Sequence, residues 1–228
     1  GEAGAIFLTI HPNGYNNAIG GTGVSSSSNY IPFYNPASPL INRGLNVEIS
    51  EGFCNWLPNL TDDMKTKDNQ AIISYGTSEL INNYFIQFSI SKSFFNLRKE
   101  PDYNKPLNHS DDMMNLTSNS LSYSIGIKSQ QHPIFFSIGR TNKDLTQHIT
   151  NYTYHYYFSK NKVFDWGFLL SIENEFRNNY NIISTIGYSK SNIADEFVSD
   201  YRNYETSIDP LPRNSRAGIS FVFEKILH

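Results

Sequence analysis

From about residue 44 onward, apolar and polar residues alternate with a period of two, the mark of strands whose two faces meet different surroundings. In "NYFIQFSISKSFF", Tyr84, Ile86, Phe88 and Ile90 fall on one face and Gln87, Ser89, Ser91 and Ser93 on the other. "SLSYSIGIK" sets Leu121, Tyr123, Ile125 and Ile127 against Ser122, Ser124, Gly126 and Lys128, and Ile134, Phe136 and Ile138 oppose Ser137 and Gly139. "TNYTYHYYFS" groups Tyr152, Tyr154, Tyr156 and Phe158; "DWGFLLSIENEF" groups Trp166, Phe168, Leu170, Ile172 and Phe176 opposite Gly167, Ser171, Glu173 and Glu175. "YNIISTIGYS" opposes Ile182, Ile186 and Tyr188 to Asn181, Thr185, Gly187 and Ser189; the pattern is weaker near 44–54 and 70–78, and strong from Arg216 to Phe223. The alternation predicts roughly eight to ten strands of about 8 to 13 residues, with no helix of ordinary length. Long polar connections are expected at "PNLTDDMKTKDN", "RKEPDYNKPLNHSDDMMNLTSN" and "RNYETSIDPLPRN", and short turns at "SQQH" and "RNN".

Alternation alone fits a soluble sandwich as well as a closed barrel. The polar face discriminates. It is built of Ser, Gly, Asn and Thr, small enough for a barrel interior, where a soluble sheet shows Lys, Glu and Arg to water. Aromatic residues gather towards strand ends at Phe94, Phe95, Tyr156, Tyr157, Trp166, Phe176, Tyr180 and Tyr188, the placement of interfacial girdles in outer-membrane barrels. The expectation is an all-β fold: an antiparallel transmembrane β-barrel of roughly 8–14 strands behind an N-terminal plug-like segment.

Composition narrows the function classes. Charged residues make up 17% of the 228, aromatic residues 14%, and the net charge is -3, so no basic face gathers phosphates and nucleic-acid binding is excluded as an expectation. The single cysteine, Cys54, permits neither an intramolecular disulfide nor a cysteine zinc site. No run approaches the 18 or so apolar residues of a transmembrane helix. The opening "GEAGAIFL" reads as the mature end of an exported chain.

Residues 18 to 40, "AIGGTGVSSSSNYIPFYNPASPL", precede the first strand and carry almost no charge. Glycines allow close backbone approach, Ser and Asn bond their own backbone in compact turns, and Pro36 fixes a bend after Asn35. Such a peptide suits a plug against a barrel wall, with a Ser/Gly-rich surface leader as the other reading. The order Ala18, Gly20, Gly21, Gly23, Val24, then Tyr34-Asn35-Pro36-Ala37 resembles the opening of the PorV/PorQ group of outer-membrane proteins, relatives of the FadL-type fatty-acid transporters. The family's Arg and acidic spacer residue are replaced here by Tyr15-Asn16-Asn17 and a serine run. "RAGISFVF", with Arg216, Gly218, Phe221 and Phe223, is similar to the terminal-strand insertion signal of such barrels, followed here by Glu224-Lys225-Ile226-Leu227-His228. The resemblance implies a plug over 1–42, a barrel over 43–228, a bacterial outer-membrane location, and either an accessory role in type IX secretion and surface anchoring or passage of hydrophobic molecules. Implied partners are outer-membrane lipid and proteins of a secretion or surface complex. A secreted adhesive protein assembling through aromatic faces is the alternative from another class.

Sites for bond-making chemistry are not signalled. No H-x-x-x-H pair, G-x-S-x-G elbow, P-loop or G-x-G-x-x-G occurs, and "GGTG" lacks the lysine and helix of a phosphate cradle. His148 and His155, Asp62-Asp63 and Asp111-Asp112 read as surface or lumen residues, and His155 beside a serine is the faint enzymatic candidate. No catalytic residue, metal or cofactor is expected. Glu173 and Glu175 are expected to face inward, pairing with Arg140, Lys128 or Arg216.

Overall fold

A computed structural model of the chain describes residue 8 and residues 23–25, 33–38, 44–55, 64–77, 83–99, 113–150, 156–176, 180–194, 197–201 and 206–225. They form an all-β, antiparallel structure of ten strands: β1 Gly44–Asn55, β2 Met64–Gly76, β3 Tyr84–Lys99, β4 Met113–Ser129, β5 Ile134–Thr150, β6 Tyr156–Phe176, β7 Tyr180–Ile193, β8 Phe197–Tyr201, β9 Thr206–Asp209 and β10 Asn214–Lys225. Neighbours in sequence pair in the order β1-β2-β3-β4-β5-β6-β7-β10, and the β8–β9 hairpin extends the sheet beside the start of β6. The pairings among described residues leave β1 and β10 as the two ends of the path and do not close the sheet.

β1, β2 and β10, at 12, 13 and 12 residues, have the length the alternation predicts, whereas β3–β7 are longer, at 14 to 21 residues. Each expected long connection gives up residues to strands. "MKTKDN" opens β2, Arg98 and Lys99 end β3, Met113 to Asn119 open β4, and Thr206–Asp209 form β9. The two aromatic segments on either side of residue 160 are one strand, β6, with 151–155 outside the described residues. Backbone pairing extends strands through polar stretches because the ladder needs only N–H and C=O groups. Connections 77–83, 130–133 and 177–179 join strands at one end, and 56–63, 100–112, 151–155 and 194–213 at the other, where the two longest are found, the last holding β8 and β9.

Side chains on the two faces are sorted in reverse of a soluble sheet. Ser91, Ser120, Ser122, Ser124, Ser137, Ser171, Thr185 and Ser189 are buried, while Ile49, Ile73, Phe88, Ile125, Ile138, Ile186 and Phe221 on the other face are exposed. Serine–serine and serine–threonine rungs bond across the inner face: Ser89 with Ser124 at 2.5 Å, Ser122 with Thr141 at 2.7 Å, and Ser171 with Thr185 at 2.8 Å.

Towards the long-connection end the phase inverts. On β3 the outward apolar residues Ile86, Phe88 and Ile90 give way to inward Phe95 and Leu97; on β4 outward Leu121 and Tyr123 give way to inward Leu116. Leu145 of β5 and Val163 of β6 also face in, and with Leu8, Leu97, Leu116 and Leu211 they form a buried cluster. Phe95, expected in an aromatic girdle, packs against this cluster instead.

The outward apolar band crosses the strands obliquely. Following the register from Val47 through Ile73, Ile90, Tyr123, Arg140, Trp166 and Lys190 leads to Ser215. The band of β1 centres on Val47, yet that of β10 centres on Phe221, six residues beyond Ser215. A drift of about 20 Å along the strands over about 34 Å of sheet is an angle on the order of 30°.

Leu145 is 1% exposed and Leu121 is 40% exposed. Leu145→Ala is therefore expected to cost about 2–5 kcal/mol and Leu121→Ala distinctly less, a contrast read from the midpoints of denaturant unfolding curves.

Candidate functional site

Residues 23–25 and 33–38 lie against the inner face of β5, β6, β7 and β10. Tyr34, Asn35 and Ala37 are each 0% exposed. The local fold follows from the Asn-Pro-Ala sequence. The Asn35 Oδ1 accepts from Ala37 N at 3.0 Å, and its backbone carbonyl accepts from Ser38 N at 3.0 Å, so the residue closes a turn around Pro36. Its side-chain amide then faces away and donates to Val24 O at 2.8 Å and to Phe168 O of β6 at 3.0 Å. One side chain thereby ties two parts of the segment to the sheet.

Three wall serines hold the segment's carbonyls. Ser137 Oγ donates to Ala37 O at 2.6 Å, Ser189 Oγ to Tyr34 O at 2.5 Å, and Ser220 Oγ to Ser25 O at 2.9 Å. Between them the wall is glycine where the segment touches it. A Cβ on Gly139 would collide with the Pro36 carbonyl, on Gly167 with Asn35 Oδ1, on Gly187 with Val24 O, and on Gly218 with the Val24 side chain. The seat is thus a run of small residues on four strands, with hydroxyl donors alternating with bare backbone.

A buried polar cluster borders the seat. Lys143 Nζ lies 2.6 Å from Asp165 Oδ2 and donates to Asn192 Oδ1 at 3.0 Å. Asp165 sits at a β-bulge, where the register slips between Phe164 and Trp166, and its Oδ1 accepts from Asn192 N at 2.7 Å. Asn192 has φ 58° and its amide donates to Pro212 O at 2.9 Å. Asn192 offsets part of the cost of taking this charge pair from water, accepting from the ammonium and donating to the carboxylate. Aromatic residues of the segment meet the cations: Phe33 lies 5.8 Å from Lys143 Nζ, and the Arg216 guanidinium lies 5.4 Å over the Tyr34 ring. Burial pushes the Tyr34 phenol up to about 12, with Arg216 pulling the other way.

The sequence-predicted residues divide as follows. Gly23, Val24, Tyr34, Asn35, Pro36 and Ala37 meet at the seat, and Ala18, Gly20 and Gly21 lie outside the described residues. Of the terminal strand, Arg216 and Gly218 belong to the seat, whereas Phe221 and Phe223 point outward. Glu173 faces in and pairs with Lys128 at 2.8 Å, with Asn181 Nδ2 donating to Glu173 Oε1 at 2.6 Å. Arg140 is on the outer face, its Nε donating to Asn142 Oδ1, and Arg216 is engaged with Tyr34, so neither meets Glu173. The Glu175 side chain and His155 lie outside the described set. Lys143, Asp165 and Asn192 were missed. Their signal is a Lys and an Asp at inward parity, Lys143 two residues after Thr141 and Asp165 two residues before Gly167. Among the described residues no three His, Cys, Asp or Glu side chains gather.

Serine hydroxyls, glycine backbone and one ion pair make this a surface for holding a peptide segment. Compared with family models, curated proteins and solved structures, the chain matches none.

Gly139→Ala is expected to expel residues 33–38 from the seat and Gly187→Ala residues 23–25, raising amide exchange in each. Gly126→Ala, which meets the tip of the Phe135 ring and the Ser137 Cβ but no atom of the segment, should leave exchange unchanged. A second outcome concerns pH. The Tyr34 phenol stays neutral in the seat up to about 12 against 10.0 when free, so docking holds below pH 10 and weakens as pH rises from there towards 12. Tyr34→Phe should abolish that slope in amide-exchange measurements.

Proposed function

We propose that the chain is a bacterial outer-membrane β-barrel whose β1 and β10 edges close on each other and whose N-terminal segment plugs the lumen. The observation that carries this reading is the inverted sorting of faces, hydrocarbon outward and buried serine inward, which lipid accounts for and water does not. The oblique band agrees: the strands stand on the order of 30° from the perpendicular to the band, near the 35–45° tilt of membrane barrels. From Phe164 to Ile172 the band of β6 covers a length suited to crossing a bilayer at that tilt. Outward Asn142, Asp144, Lys160 and Lys162 then stand in water above it. Strands protruding past a bilayer need a core of their own, which the inward leucine cluster supplies.

The function we assign is binding at the cell surface: an accessory barrel of the PorV/PorQ kind that receives or anchors exported proteins in type IX secretion. Support comes from the filled interior, occupied by the seated segment, the Lys143–Asp165 pair and the leucine cluster, and from the long connections gathered at one end. Passage of hydrophobic molecules is the second reading, favoured by the apolar character of that same cluster. No bond-making step belongs to either reading.

The protein should require detergent for extraction and migrate faster on a gel unheated than boiled; a monomer soluble without detergent would falsify the membrane reading in favour of a secreted β protein. In planar bilayers, deletion of 18–40 should leave insertion intact and raise conductance, and an unchanged conductance removes the plug. Exported proteins in mild-detergent pull-downs support the accessory role, whereas co-purifying fatty acids without them support passage.

A further inference from the structure

The border of the outward apolar band is charged on one side only. Beyond the band towards the long connections, the first outward polar side chain is Lys92 on β3, Asn119 on β4, Arg140 on β5, Lys162 on β6 and Lys190 on β7. At the opposite border the first polar residues with described side chains are Asn83, Ser129, His132 and Asn174, with no Lys, Arg, Asp or Glu among them. Asp144, in register with Lys162, is the carboxylate among these outward positions of β3–β7. Arg140 and Lys190 stand in one register row through Trp166, Lys92 stands two residues beyond that row, and Lys162 stands four beyond it, opposite Asp144.

An apolar groove runs into this collar. Its walls are Phe88 of β3, Tyr123 and Ile125 of β4, Ile138 and Arg140 of β5, and Trp166 of β6. All six are outward residues. Arg140 closes its charged end, with the guanidinium 4.4 Å over the Phe164 ring and Nε bonded to Asn142 Oδ1 at 3.1 Å. Held flat in this way, the fork is ordered before any ligand arrives, which lowers the entropy lost on binding a phosphate. Trp166 is braced by Tyr188, ring centroids 5.4 Å apart.

We propose that this groove and collar bind an anionic, phosphate-bearing membrane lipid in the leaflet on the long-connection side, its acyl chain against Phe88, Ile125 and Ile138 and its phosphate at Arg140, flanked by Lys92 and Lys190. The inference rests on the membrane reading above. Charge complementarity selects the occupant: a zwitterionic headgroup gains nothing net from a collar of cations, whereas each Lys or Arg at a membrane surface attracts an anionic headgroup. Indole and phenol at the same level fit the headgroup boundary. An acyl chain in the groove covers side chains that scattered lipid contacts would cover less completely.

Trp166 reports on the groove directly. The full chain carrying Trp56→Phe, which leaves Trp166 as the one tryptophan, is reconstituted into phosphatidylcholine vesicles containing either brominated phosphatidylcholine or brominated phosphatidic acid with the same chains. Phosphatidic acid should quench Trp166 in excess of phosphatidylcholine. Arg140→Gln and Lys190→Gln should each reduce that preference on the order of fivefold. Native mass spectrometry of the unsubstituted protein, released from mixed vesicles, should retain phosphatidic acid and lose it in Arg140→Gln. Equal quenching by the two lipids, with the protein inserted, overturns the proposal and leaves the membrane reading intact. Absence of quenching by either lipid, with the protein left in the aqueous phase, overturns both.

Discussion

The bonds from Ser137, Ser189 and Ser220 to carbonyls of the N-terminal segment are the interactions around which the inner face is organised. A sheet that turns hydrocarbon outward must keep its polar side chains on the other side, and any peptide packed there brings its own amides and carbonyls with it. Each group left unbonded costs about 1–3 kcal/mol. The serines meet that demand while remaining small enough for close contact, and Gly139, Gly167 and Gly187 remove the side chain where the segment's backbone needs the space. Asn35 completes the arrangement because it offers both a donor and an acceptor beyond its backbone. The choice of Ser and Gly on the wall and of Asn-Pro-Ala on the segment are therefore one choice.

The same strands serve two environments in succession. In β5 the outward face runs Ile134, Phe136, Ile138 and then Arg140, Asn142, Asp144, while the inward face runs Ser137, Gly139, Thr141 and then Lys143 and Leu145. The crossing point is where the buried Lys143–Asp165 pair sits, between the seat and the leucine cluster. A β-bulge and a left-handed Asn192 occur at this level and nowhere else among the described pairings and non-glycine φ values of β6 and β7. Local irregularity is the means by which a regular ladder aims Asp165 and the Asn192 amide at one ammonium.

Much of this was legible in the sequence. The serine and glycine parity of β3–β7 identified the inner face, and "YNPA" identified the stretch that rests on it, because period-two patterning and turn chemistry are local properties. Strand ends were not legible, since Met64–Asn69 or Met113–Asn119 enter the ladder through backbone bonds that carry no mark in side-chain type. The inward leucine cluster was hidden for a different reason. Leu97, Leu116, Leu145 and Val163 sit at the opposite parity to the apolar residues that follow or precede them, so a single alternation cannot describe the strand, although a change of phase in four consecutive strands is itself a readable signal. The partners of Asn35 were beyond reach, being backbone atoms of Val24 and Phe168 that only the tertiary fold brings together.

Sequence distance gives the seat a further meaning. The serines that hold Ala37, Tyr34 and Ser25 stand 100, 155 and 195 residues later in the chain, on strands at the far end of the sheet from β1. The segment therefore has no complete place to rest until strands much later in the chain are in position. Closure by such distant contacts is slow compared with hairpin formation, so seating of Asn35 marks the end of folding, and a chain with that turn in place is a chain that has finished.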